Sequence, residues 1–118
     1  MGLLERFLPR IEFDSYADFK ENYRVNLPEK FNFGFDIVDA WAKEDKEKRA
    51  LVWCDDHGQE KIITFDEMSR LSNQAANYFK SLGLTRDSVV MLIMRRRWEY
   101  WVWAAALIKL GVIFVPGT

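Results

Sequence analysis

Residues 63–118 read ITFDEMSRLSNQAANYFKSLGLTRDSVVMLIMRRRWEYWVWAAALIKLGVIFVPGT, and the fold is decided in this stretch. Thr64 stands three positions before Glu67, the spacing at which a hydroxyl caps a helix while the glutamate reaches back to the capping residue's own N–H. Phe65, Met68, Leu71, Ala75, Ala76, Phe79 and Leu82 then recur at three- and four-residue steps, one apolar stripe along an amphipathic helix. Gly83 supplies the left-handed residue that ends it. Val89 to Met94 run apolar without alternation, which predicts a strand buried on both faces of a parallel sheet. A second helix is expected from about Arg97 to Leu110; with Trp98, Trp101 and Trp103 among its apolar residues it reads as mostly buried. After Gly111, Val112 to Val115 form the next strand. Strand, crossover helix and strand make one βαβ unit, which needs neighbouring strands and helical cover.

Working outward, Leu51 to Cys54 and Lys61 to Thr64 are short β-like runs joined by a polar loop with Gly58 at its turn, a hairpin signal. Upstream, Phe35, Val38, Trp41 and Ala42 have helical spacing. Lys43 to Arg49 are all charged, with both signs present, and read as a solvated helix end and loop. Tyr16, Phe19 and Tyr23 mark one side of a helix capped by Asp14 or Ser15, which Pro28 bars from continuing. The resulting division is a helical lead over residues 1–30 and an α/β segment over 31–118, together a single partial domain spanning 1–118.

Composition narrows the function classes. A chain of 118 residues holds at most one domain, and 49% hydrophobic content argues against disorder. A net charge of −1 lacks the basic excess of a nucleic-acid-binding domain. The single cysteine, Cys54, forms no internal disulfide and suits a reducing compartment, taken as the cytoplasm. Leu3, Leu4, Phe7 and Leu8 are interrupted by Glu5 and Arg6, so they make no secretory core. Tyr100 to Ile108 is the one apolar run that invites a membrane reading, but a span needs about 20 such residues and Lys109 falls inside it, so no stable membrane insertion is expected.

Chemistry-bearing patterns are scarce. Cys54, Asp55, Asp56 and His57 supply every ligand type a metal uses, yet four adjacent residues in one turn cannot converge on one ion. The six glycines are scattered, so no phosphate-cradling loop is present. His57 has no Ser or Cys partner at a recognisable spacing. Catalytic, cofactor-binding and metal-ligating residues are therefore assigned to none of these positions.

Several segments together carry a resemblance. ALIKLGVIFVPGT resembles the "LKAG…VP" motif of the adenylate-forming acyl-CoA synthetases, and ITFDEMSRLSNQAANYFKSLG resembles the helix that precedes it there. FNFGFDIVDAWA resembles an earlier segment of the medium-chain acyl-CoA synthetases. Order and spacing agree from about Phe13 onward. Two departures are visible: Asp87-Ser88 stands where Gly-Asp is usual, and Leu110 replaces the alanine of Lys-Ala-Gly.

The resemblance implies α/β structure from the start of the large N-terminal domain of the adenylate-forming fold, truncated. It also implies a two-step ligase in which ATP, Mg and coenzyme A serve the complete enzyme, none of them bound by these residues alone. The chain by itself is then expected to be inactive, with the remainder of the enzyme chain as its partner, or self-association through an open sheet edge. A stand-alone binding or assembly module, or a decayed gene product, is the alternative. Trp98, Trp101 and Trp103 read either as core or as lining of an acyl pocket. Arg95, Arg96 and Arg97 read either as a solvated loop or as a partner for a coenzyme A phosphate.

Overall fold

The computed structural model describes residues 2–117; Thr118, the end of the VPGT tail, lies outside them. The described residues form two compact units divided between Phe31 and Asn32.

The first unit carries α1 (Leu3–Phe7) and α2 (Tyr16–Asn22). Of the two expected caps for α2, Ser15 is the one used: its hydroxyl accepts the Asp18 N–H at 3.1 Å. Phe13 meets Phe19 edge-on at 5.2 Å, and Phe19 lies 4.8 Å from Tyr23. The Arg10 guanidinium binds both oxygens of Asp18, at 2.9 and 2.6 Å. The backbone N–H of Asp14 above all, then Arg10 and Asn22, hold the Asp18 carboxyl below the ordinary aspartate value of 3.8. A depressed folded-state value means that this contribution is complete above the ordinary value and is lost as pH falls through the lowered one. A carboxyl-carbon NMR titration should place the Asp18 midpoint below the ordinary aspartate range; a midpoint within that range contradicts the assignment.

The second unit begins with a π-helical turn (Gly34–Asp39) that runs into α3 (Ala40–Glu44). β1 (Arg49–Cys54) and β2 (Glu60–Thr64) form the expected antiparallel hairpin. The chain passes from β2 directly into α4 (Phe65–Ser81), then β3 (Val89–Ile93), α5 (Glu99–Leu110) and β4 (Ile113–Gly117). β3 and β4 pair in parallel, Val89 opposite Ile113 and Ile93 opposite Gly117, in a sheet separate from the hairpin.

Local chemistry accounts for these boundaries. Thr64 Oγ1 accepts the Glu67 N–H at 3.2 Å and Glu67 Oε2 accepts the Thr64 N–H at 3.0 Å, so the capping box is complete. Thr64→Ala should cost about 0.5–2 kcal/mol; urea unfolding would show it as a lowered midpoint at unchanged slope. At the other end Gly83 takes φ +87°, and the N–H groups of Gly83 and Leu84 return to the carbonyls of Lys80 and Phe79. Gly111, at φ +70°, ends α5 in the same way, with Val112 N–H on Leu107 O at 3.1 Å. At the Asp87-Ser88 departure, the Ser88 hydroxyl closes the turn before β3 by accepting the Thr85 N–H at 2.9 Å.

The core lies between α4, α5 and the parallel pair. Ala76, Phe79, Ala106, Leu107 and Val112 are buried together, with Val90, Leu110 and Phe114 packed against them. A second cluster joins Val38, Ile63, Met68 and Val102.

Two expectations change in detail. β3 is apolar throughout, as read, but it is covered on one face only: Leu92 is 5% exposed, whereas Val89, Met91 and Ile93 are 63–65% exposed. The reason is that α4 and α5 pack on the Val90–Leu92 side and, among the described residues, nothing packs on the other. The apolar positions from Phe35 to Ala42 do not lie on one α-helical face, because Gly34–Asp39 winds as a π turn; Val38 is buried while Phe35 is exposed. No helix among the described residues is long and apolar enough to cross a membrane.

Candidate functional site

Three features of the second unit have the composition of working surface. The first is a cavity of about 460 Å³, bounded by the π turn, β1, α4, α5 and β4. Its walls include Ile37, Val38, Leu51, Met68, Trp101 and Phe114, and a volume of this size is typical of small-molecule pockets. The second is the bare face of the parallel pair. Side chains alternate across a strand, so Val89, Met91 and Ile93 share this face with Ile113 and Val115, which are also exposed.

The third feature is polar and buried. The Lys109 side chain is 2% exposed; its Nζ donates to Asp39 Oδ1 at 2.7 Å and to Asn73 Oδ1 at 2.7 Å. Ser69 Oγ donates to the same Asp39 oxygen at 2.7 Å. Taking an ammonium out of water is tolerable only with such partners. Among the described residues no buried side-chain nitrogen or oxygen is left without one. In sequence Lys109 appeared as a break in an apolar run and as the lysine of the Lys-Ala-Gly resemblance, with no partner indicated. A charged residue inside a helix of otherwise largely apolar sequence was the available signal for this network.

The residues singled out from sequence distribute unevenly over these features. Trp98 packs against the cluster of Val38, Ile63, Met68 and Val102. Trp103 meets Phe79 edge-on at 5.4 Å. Trp101 is 54% exposed and borders the cavity. The three tryptophans are thus not equivalent: Trp98 and Trp103 pack on core residues and also border a second hollow of about 310 Å³, whereas Trp101 borders the larger cavity.

In the loop after β3, Arg97 Nη2 pairs with Glu99 Oε1 at 2.9 Å. Hydrogen bonding from Arg97 holds the Glu99 carboxyl below its ordinary range, and Glu99 correspondingly raises Arg97. The Arg96 carbonyl accepts Trp53 Nε1–H at 2.8 Å, tying this loop to the hairpin. Arg95 and Arg96 are exposed. In the hairpin loop Asp55 Oδ1 accepts the N–H groups of His57 and Gln59, at 2.9 and 2.8 Å. Asp55 is therefore occupied in shaping the turn.

The described glycines serve turns and close packing. Gly83 and Gly111 end helices and Gly58 turns the hairpin at φ +79°. Gly34 lies against Lys109, and Gly117 against Ile93.

Comparison with known proteins places this geometry. The family model for AMP-binding enzyme matches residues 38–117. The human mitochondrial acyl-coenzyme A synthetase ACSM3 is 31% identical over 112 residues, covering 90% of this chain and 19% of that protein. Human mitochondrial ACSM4 is 38% identical over 110 residues, covering 86% and 19%. The chain thus spans about a fifth of the length of these curated relatives. The crystal structure of a fatty acid AMP ligase from Legionella pneumophila superposes with a TM-score of 0.67 at 16% identity, over 77% of this chain and 16% of that one. A Mycobacterium tuberculosis fatty acyl CoA synthetase gives 0.66 at 24% identity, over 74% and 16%. At those identities the likeness is one of fold, that of the N-terminal part of adenylate-forming enzymes.

Proposed function

The chain belongs to the AMP-binding enzyme family, and from that premise we propose that it is the leading segment of an acyl-CoA ligase and is inactive by itself. The complete ligase would join a carboxylic acid to coenzyme A through an acyl-adenylate, releasing pyrophosphate and then AMP. ATP, Mg and coenzyme A supply that chemistry, and no step of it is assigned to the residues described here. Their part is structural: to begin the sheet and to present surfaces on which the catalytic portion is built.

The observation that carries this reading is the bare apolar face of β3 and β4. Soluble monomers rarely leave contiguous apolar patches uncovered, and parallel strands are normally covered on both faces. The remainder of the enzyme chain is the occupant we propose. In its absence the same face and the open strand edges favour self-association. The lone Cys54 fits a reducing compartment, the cytoplasm in this reading; relatives named as mitochondrial make the mitochondrion the competing address, and cell fractionation separates the two.

Sequencing the source gene past the codon for Thr118 tests the proposal. A frame that continues into a Ser/Thr/Gly-rich loop followed by a lysine supports it. A stop codon at that point would replace it with a stand-alone assembly module or a decayed gene.

A further inference from the structure

A π turn is rare, and such turns occur frequently at functional sites. Here both ends of the turn are tied to the last turn of α5. At the entry, Asn32 Nδ2 donates to Ile108 O at 2.8 Å. Its Oδ1 accepts the N–H groups of Gly34 and Phe35, at 2.9 and 3.3 Å, and Asp36 Oδ2 accepts the Asn32 N–H at 2.8 Å. At the exit, Asp39 Oδ1 receives Lys109 Nζ and Ser69 Oγ, both at 2.7 Å. Between these anchors Gly34 rests on the Lys109 stem, and a Cβ there would collide with Lys109 Cγ.

The two anchors on α5 are consecutive residues, Ile108 and Lys109, whereas the two they hold, Asn32 and Asp39, are seven positions apart. A wider, shorter helical winding brings such a pair onto neighbouring anchors; an α-helical winding of the same residues would release one of them. Releasing Asp39 leaves the buried Lys109 ammonium without its countercharge, which is the costlier loss. Ile37 and Val38, borne on the same turn, line the cavity.

We propose that Lys109 and Asn32 clamp residues 34–39 into the π register and thereby set the wall of the apolar cavity, with Lys109 a positioning residue. This stands independently of the ligase reading. A change of register turns Ile37 and Val38 relative to α5, so the cavity changes shape even where Ile63 and Leu107, both fully buried, stay packed.

Methyl NMR of the 118-residue chain under xenon pressure tests the clamp, since xenon enters apolar cavities. In the wild type, the Ile37, Met68 and Ile108 methyls should shift with xenon. In Lys109→Met the Ile37 methyl should lose most of that response while the Ile63 and Leu107 resonances keep their positions. Asn32→Ala leaves the buried charges paired, and should give the same local loss in case Lys109→Met does not fold. Wild-type xenon responses in either folded variant would overturn the proposal, as would collapse of the Ile63 and Leu107 signals in both.

Discussion

Met91→Lys combined with Ile113→Glu should convert the 118-residue chain from a concentration-dependent associating species into a monomer, with its far-UV circular dichroism unchanged. Both side chains lie on the bare sheet face, 65% and 59% exposed, so neither supports the core packed on the opposite face. The pair adds one charge of each sign and leaves the net charge at −1, which separates loss of apolar surface from charge repulsion. Covering a Met or Ile side chain fully contributes about 1.5–3 kcal/mol. A symmetric pair of chains loses four such side chains, enough to raise the dissociation constant roughly a thousandfold or more. Sedimentation velocity reads the result directly; a variant that associates as the wild type does would mean that some other surface is responsible.

Asp39→Ala should be the most destabilising single change in the second unit. It leaves the Lys109 ammonium buried with Asn73 Oδ1 at 2.7 Å and the Ser69 carbonyl at 3.5 Å, and with no countercharge. Removing one member of a buried pair costs about 3–5 kcal/mol, a large part of the total stability of a small domain. Chemical denaturation should show loss of the cooperative transition. Asp39→Leu with Lys109→Met should recover much of it, because two apolar groups carry no desolvation penalty. A double variant as unstable as Asp39→Ala would show that the pair has no coupling to break.

What the sequence disclosed and what it withheld divide along local against non-local physics. The Thr64 and Glu67 capping box, Gly83 and Gly111 as terminators, and the hairpin around Gly58 are each settled within a few residues, and the structure follows them. The π turn was not legible, because Phe35, Val38, Trp41 and Ala42 also fit an α-helical period. What decides the winding lies 76 and 70 positions away, at Ile108 and Lys109. The polar network was hidden for the same reason: Lys109, Asp39 and Asn73 meet only in the folded chain. The apolar character of β3 was plain from Val89 to Met94, but whether a second layer covers it depends on elements other than the strand itself. The three tryptophans show the limit most clearly, since Trp98 and Trp103 combine core contacts with the rim of one hollow while Trp101 borders another.

The central claim is that these residues open an acyl-CoA ligase and do no chemistry alone. The most direct measurement grafts the 118 residues in place of the matching segment of a related acyl-coenzyme A synthetase and follows ATP–pyrophosphate exchange dependent on added carboxylic acid, beside the 118-residue chain alone. The account predicts exchange in the graft and none in the isolated chain. A folded graft without exchange, or an isolated chain that catalyses it, would contradict the account.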